Sequence, residues 1–544
     1  MPLCLFHPET PPVLPLDYGL ILFPELFTIS LYRNFPIAAR GLSRIQNQPV
    51  FFGGSFMSAP FCKKVPHILF ILMLFLFVPV QGTPVKAVES QDSPNIPQVL
   101  VSALPSEQKE NSMSIQVSEG IFPQESGKDA LSPVLLGDEQ FDLYLPLLEG
   151  KRTALFSNHS GIVGDTVIGI DTIAPAEDPT LRPFGQDADG NPLTFGPHIL
   201  DALLEHGVNV TAIFSPEHGF RGNADAGASV GSSVDPSTGV PILSLYDKGT
   251  NAPSQKDMDT FDVLVIDIQD VGLRYYTYYI SMYYLMDACA QAGKPVILLD
   301  RPNPNGFYVD GPILEDAFRS GVGALPVPIV HGMTLGELAL MINREGWLKS
   351  GRNACHLTVI PCQGYSHSMK LPLILPPSPN LKTMRSVYLY ASTCFFENTV
   401  VSLGRGTDYP FEIYGSPLLE NVPGFDYAFT PVSVDGAVSP PFERVLCFGR
   451  ELRTIPIESI FDAGINLSYL VDTYTAIHKV DPSVSYFGVP DSKGRYWIDK
   501  LCGTDRVRLM IENGQSAEEI KASWQEDIER FTEMRRPYLL YAEE

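Results

Sequence analysis

Four short apolar runs constrain this chain more than any other feature: Thr153 to Phe156, Val208 to Phe214, Asp262 to Ile266 and Pro295 to Leu299. Each has the length of a strand, and a continuous rather than alternating apolar run is what a strand buried on both faces requires. Helical patterns lie between them, from Pro197 to His206 closing on Gly207 and from Tyr276 to Ala292 closing on Gly293. Glycine is the residue that best accepts the left-handed turn ending a helix. The alternation predicts a doubly wound, mostly parallel α/β sheet with right-handed crossovers, whose functional crevice lies at the carboxyl ends of the strands. A further helix is expected from Thr334 to Trp347, because Thr334 stands three residues before Glu337 in capping-box spacing.

Length and composition set the outer limits. At 544 residues the chain has material for two to four domains of roughly 100–200 residues. Only 18% of it is charged, against about 25% in an average globular protein, so disorder is confined to segments. The 48 prolines argue against an all-helical bundle, since each one inside a helix costs about 3 kcal/mol. A net charge of −24 repels phosphate backbones and anionic lipid heads, which excludes nucleic-acid binding as the main activity.

Lys63 and Lys64 precede the apolar run His67 to Val78, and Val80, Gln81 and Gly82 come next, near a point suited to cleavage. This pattern reads as a secretory signal. The run falls short of the ~20 residues a helix needs to cross a bilayer, so no stable membrane span is expected after cleavage. Translation is expected to begin at Met57, just upstream of the signal, and the product to be exported to the periplasm or outside the cell. Residues 1–82 are thus a leader and 83–140, rich in Pro, Ser, Gln and Glu, a disordered linker. Residues 141–370 carry the strand-helix alternation. Denser proline and glycine from 371 to 544 mark a smaller C-terminal α+β domain, ending in an amphipathic helix from Ser516 to Met534 on which Ile520, Trp524, Ile528 and Phe531 fall three or four apart. Cys355 and Cys362 are near enough in sequence to bridge, but spacing alone fixes no pairing.

The residues just beyond each strand carry the chemistry. The first strand delivers Asn158 and His159, the second Glu217 and His218, the third Asp267, Gln269, Asp270 and Arg274, and the fourth Asp300, Arg301 and Asn303. Caps and turns account for Asn, Asp and Ser at such places; Glu, His and Arg have no turn advantage. Glu217, behind Pro216 in a crevice of low polarity, suits a working acid whose pKa is raised by desolvation. Its structural alternative is an ion pair with Arg221. His218 either tunes that proton or caps a loop. Asp267 and Asp270, three residues apart, suit a second carboxylate acting as base or nucleophile, or else pair with Arg274. Tyr275, Tyr276, Tyr278 and Tyr279 offer ring faces for a sugar, or pack in the core.

Competing signatures fail. No G-x-G-x-x-G comes after a strand and no G-x-x-x-x-G-K-[ST] is present, so neither a dinucleotide nor a P-loop nucleotide is indicated and no cofactor is expected. Gly227 to Gly231 matches G-x-S-x-G, but Asp235 to Gly239 supplies a turn where the nucleophile elbow needs a helix. His159, His218 and His331 lack short metal-ligand spacing.

The same clusters, in the same order, resemble the NamZ-like family of exported bacterial exo-β-N-acetylmuramidases. The resemblance runs from about Asp142 to the C terminus through Ser157–Gly161, Phe214–Gly219, Asp267–Gly272, Arg274–Tyr278 and Leu299–Pro304. It continues through Val330–Thr334, Pro376–Asn380, Gly404–Thr407 with Pro410–Glu412, and Arg536–Tyr541. It departs at Thr393 to Asn398, where Gly and Thr would be expected after Glu397. The resemblance implies a Rossmann-like domain, a smaller C-terminal domain closing the cleft, and removal of N-acetylmuramic acid from the non-reducing end of peptidoglycan fragments. Glycoside hydrolysis usually takes two carboxyl groups flanking the bond. Glu217 is the expected proton donor and Asp267 or Asp270 its partner, with Glu412 or a tyrosine as lesser options. The anionic lactyl group of the sugar calls for a cation: Arg405 on a flexible glycine-flanked turn, with Arg274 and Arg301 as rivals. Asn158, His159, Tyr276 and Asp300 complete the expected substrate surface. A metal-dependent hydrolase and a non-catalytic two-lobed binding protein remain as alternatives.

Overall fold

The computed structural model describes residues 134–165, 167–168, 178–187, 190–216, 219–220, 232–245 and 252–544. Seven strands form the main sheet: β1 Arg152–Phe156, β2 Asn209–Ser215, β3 Ser233–Val234, β4 Pro241–Ser244, β5 Val263–Ile266, β6 Val296–Leu299 and β7 Leu357–Ile360. Their spatial order is β3-β4-β2-β1-β5-β6-β7, all parallel except β3, which pairs antiparallel with β4. The chain winds outward from β1 in one direction through β2 and β4, then crosses to the other side for β5, β6 and β7. The order therefore reverses between β1 and β5, which is where an open α/β sheet leaves a crevice.

Register explains why the strand ends meet. Phe156 of β1 pairs with Phe214 of β2 on one side and Ile266 of β5 on the other, and Ile266 pairs with Leu298. The chain thus leaves β1, β2, β5 and β6 at one level. Within the strands Ala154, Phe156, Leu264, Ile266, Val296 and Leu298 fill one core, while Leu155, Val263, Val265, Ile297 and Leu299 fill a second on the opposite face. This period of two with both faces apolar is why the runs look continuous in sequence. The second face is covered by α1 (Phe141–Leu148) and α2 (Ile199–Glu205), the first by α3 (Tyr278–Ala292) and α4 (Leu335–Glu345). Gly293 ends α3 at φ 64° with its N–H on the Ala290 carbonyl, and Thr334 caps α4 in the expected reciprocal box with Glu337.

The smaller C-terminal part holds a three-stranded antiparallel sheet, β8 Ile413–Ser416, β9 Tyr427–Phe429 and β10 Cys447–Glu451, in the order β8-β10-β9. Helices surround it, beginning with α5, Met384–Thr393. The helix expected from Ser516 to Met534 is broken into Ala517–Ala522 and Gln525–Arg535. At the break the Ser523 hydroxyl bonds the Ile520 carbonyl, and the buried Trp524 sends its indole N–H to Asp310 Oδ1 at 2.9 Å. All six cysteines among the described residues are free and buried, Cys355 and Cys362 included.

Candidate active site

The loop leaving β1 is built around Asn158. Its Oδ1 accepts the Ser160 N–H and hydroxyl at 3.0 and 2.6 Å, and its Nδ2 donates to Tyr278 Oη at 2.9 Å. His159 points across the crevice and donates from Nε2 to the Pro376 carbonyl at 2.7 Å. From the start of α3, Tyr278 Oη reaches the next carbonyl, Pro377, at 3.1 Å, and Tyr276 Oη reaches the same oxygen at 2.5 Å. Asn158, His159 and Tyr276 are thus brought together, but their polar atoms hold protein groups.

The β5 and β6 loops supply the charge. Asp267 and Arg301 form a paired contact, Nε to Oδ1 at 2.6 Å and Nη2 to Oδ2 at 3.1 Å, and the same Nη2 reaches Asp138 Oδ2 at 2.6 Å. All three side chains are at most 2% exposed. Asp267 is therefore held by Arg301 and not by Arg274. Asp138 escapes a reading of the sequence because it sits at the end of a linker-like stretch, 163 residues from its partner, and no local spacing signals it. Asp270 is different. Its Oδ1 accepts the Gly272 N–H at 2.7 Å, but its buried Oδ2 has no partner. Burial pushes its pKa from 3.8 up to about 7, against the pull of the Gly272 N–H. Asp270 lines a small recess with Arg301, Gly272, Asn303, Met333 and Leu335. Gly272, at φ 75°, is required there: a Cβ would fall 2.2 Å from Asn303 Oδ1.

Other expected residues are placed elsewhere. Arg274 turns away from the recess into the interior, where its guanidinium donates to the carbonyls of Pro312, Val327 and Leu501 and burial pulls its pKa down to about 10. Asp300 lies under α4, with Oδ2 accepting the Thr334 and Tyr541 hydroxyls, each at 2.6 Å, and Oδ1 the Gly336 N–H at 2.8 Å. Burial raises its pKa to about 6, those hydroxyls opposing. Both side chains are buried and bonded to protein groups, as a buried polar side chain requires. Thr334 both caps α4 and bonds a buried carboxyl, so Thr334→Val is expected to cost about 2–4 kcal/mol in urea unfolding. A loss within 0.5 kcal/mol, roughly that of an ordinary surface substitution, would contradict the described network.

Arg405 pairs with Glu397 through Nε and Nη2 at 2.9 and 2.7 Å, and lies over the Phe411 ring. Its turn is closely packed: Gly404 and Gly406 both have φ near 80°, and a Cβ would meet Tyr409 O or Val432 O within 2.8 Å. Glu412 is buried with Oε1 accepting the Thr383 hydroxyl at 2.6 Å, and Arg453 stands 3.6 Å from Oε2. Tyr390 packs between Tyr276 and Phe411, so Arg405 is separated from the strand ends by a layer of rings. His331 is buried, Nδ1 accepting the Met333 N–H at 3.2 Å. Among the described residues no three His, Cys, Asp or Glu side chains gather as metal ligands. Glu217 and His218 lie outside the described residues.

A buried carboxyl with one oxygen lacking a hydrogen-bond partner, on the loop after β5, can carry a proton. Residues 193–385 match the model for the N-terminal domain of the exo-β-N-acetylmuramidase NamZ, and residues 388–541 match that for its C-terminal domain. The chain belongs to the NamZ family. It is 36% identical over 392 residues to peptidoglycan β-N-acetylmuramidase NamZ of Bacillus subtilis strain 168, covering 69% of this chain and 91% of that protein. Two crystal structures of DUF1343 family proteins from Bacteroides fragilis share the fold. One is 50% identical with a TM-score of 0.62 over 76% of this chain and 99% of that one. The other is 27% identical with a TM-score of 0.59 over 75% and 99%. Within the NamZ match, the N-terminal region holds Glu217, Asp267, Asp270 and Arg301, and the C-terminal region holds Arg405 and Glu412.

Proposed function

We propose that this chain is an exo-acting glycoside hydrolase that releases N-acetylmuramic acid from the non-reducing ends of peptidoglycan fragments. Asp270 carries the reading: among the strand-end carboxyls of the described residues it combines a partnerless buried oxygen with a pKa near 7. Two carboxyl groups are needed to break a glycosidic bond, one protonating the leaving oxygen and one serving as base or nucleophile. Glu217, two residues beyond the end of β2, is the proton donor in this proposal and Asp270 its partner. Asp267 is a positioning residue, since Arg301 occupies both of its oxygens. The family match, which names an exo-β-N-acetylmuramidase, supports the substrate class.

The signal pattern from Lys63 to Gly82 supports an exported enzyme, acting in the periplasm or outside the cell. No helix among the described residues is long and apolar enough to cross a membrane.

A chromogenic N-acetylmuramide, offered to the wild type and to Glu217→Gln, tests the reading. Free N-acetylmuramic acid is expected from the wild type, with a loss of about 10²- to 10⁴-fold in the variant, the usual worth of a general acid. An equally active variant would reject Glu217 as the donor. A wild type that binds muropeptides without releasing the sugar would reject the glycosidase reading itself.

A further inference from the structure

The segment Pro376 to Asn380 contains three prolines in five residues, which fixes φ at those positions and removes three N–H donors. Its remaining polar groups are its carbonyls, the N–H groups of Ser378 and Asn380, and the side chains of those two residues. The carbonyls of Pro376 and Pro377 are taken by His159 from the β1 loop and by Tyr276 and Tyr278 from the segment after β5. The switch point lies between those two strands, so the segment is tied across the place where an open α/β sheet binds its ligand. At its other end Asn380 Nδ2 donates to the Gly436 carbonyl at 2.8 Å. Gly436 has φ 81° and packs so tightly that a Cβ would fall 2.6 Å from Pro379 Cβ.

We infer that Pro376–Asn380 is a rigid strap forming one wall of the sugar site, and that His159, Tyr276 and Tyr278 act as positioning residues that hold it there. The inference rests on the glycosidase reading above and adds to it a specificity element. Its physical logic is preorganisation: a strap stiffened by proline and pinned at both edges loses little entropy when the amino sugar docks. The tyrosines in this account do not stack on the sugar. Their hydroxyls set where the wall stands, and through it the affinity for the ground state and the transition state alike.

Two variants approach the strap from opposite ends. Tyr276→Phe/Tyr278→Phe strips both hydroxyls from the Pro377 carbonyl, and Gly436→Ala presses on Pro379 from the C-terminal part. Each is expected to raise KM for the chromogenic N-acetylmuramide about tenfold with kcat changed less than about twofold, the signature of lost uniform binding. Calorimetric Kd for free N-acetylmuramic acid is expected to rise in parallel. A merely structural role would lower the folded fraction, and with it apparent kcat, while leaving KM and Kd in place. Unchanged KM and Kd in both variants, with an active wild type, would overturn the strap. An inactive wild type would reject the glycosidase reading, while Kd would still decide whether the strap contacts the sugar.

Discussion

Asp270→Asn is expected to lose at least about 10²-fold in N-acetylmuramic acid release and yet to gain stability over the wild type as the pH is raised. The two effects share one cause. Burial raises the Asp270 pKa to about 7 from 3.8. Between those values the folded chain keeps a proton that the unfolded chain releases, so wild-type stability falls as pH rises through this window and is level above it. A shift of about three pH units corresponds to roughly 4 kcal/mol. Asparagine preserves the acceptor for the Gly272 N–H and never ionises. Its own amide hydrogens, turned into the recess, take back about 1–3 kcal/mol if they find no partner. The difference in unfolding free energy between variant and wild type should therefore grow in favour of the variant from pH 4 to pH 8. A difference flat across that range would show that Asp270 is not desolvated as described. Retained activity would remove it from the reaction.

The same residue sets the expected pH profile of the wild type. If Asp270 is the base or nucleophile it must be ionised, so kcat/KM should rise with pH through about 7. In Asp270→Asn whatever residual activity remains should lack that limb.

How much of this is legible in the sequence depends on the physical origin of each signal. The buried strands β1, β2, β5 and β6 are visible because strands covered on both faces leave unbroken apolar runs. β7, at the edge, buries only Ile360, β4 buries only Ile242, and β3 is two residues long; none of these three leaves such a run. Among the described residues, Asn158 and His159 follow β1, Asp267 and Asp270 follow β5, and Asp300 and Arg301 follow β6. What each side chain does there is not legible. Arg274 and Arg301 look alike in sequence, yet one is bound by carbonyls from three distant segments and the other by Asp138 and Asp267. The chain departs from the family pattern just after Glu397, and Glu397 itself is the partner of Arg405. Pairings of that kind depend on tertiary approach and have no period to read. The break at Trp524 has the same origin. An amphipathic spacing that predicts one helix is overridden where a buried indole must reach Asp310.

Arg301→Met should be the most destabilising single change in the site. The guanidinium lies between Asp267 and Asp138, with the Ile162 carbonyl as a further acceptor at 3.0 Å. Methionine fills similar space but leaves two carboxyl groups, each 0% exposed, without their cation. Breaking a buried pair this way costs about 3–5 kcal/mol, because the stranded charge has lost its hydration as well as its partner. Protonation can relieve that penalty. The stranded carboxyls are then held neutral in the folded state, their pKa values raised above the unfolded values. The variant should consequently be least impaired near pH 4 and progressively worse as the pH rises towards neutrality. Adding Asp138→Asn and Asp267→Asn should restore much of the lost stability at neutral pH, since removing a whole buried ion cluster is far cheaper than removing one member. Urea unfolding of the single and triple variants at pH 4 and pH 7 measures both effects. Equal losses at the two pH values, or a triple variant weaker than the single one, would mean that the cluster is not the buried ion network described.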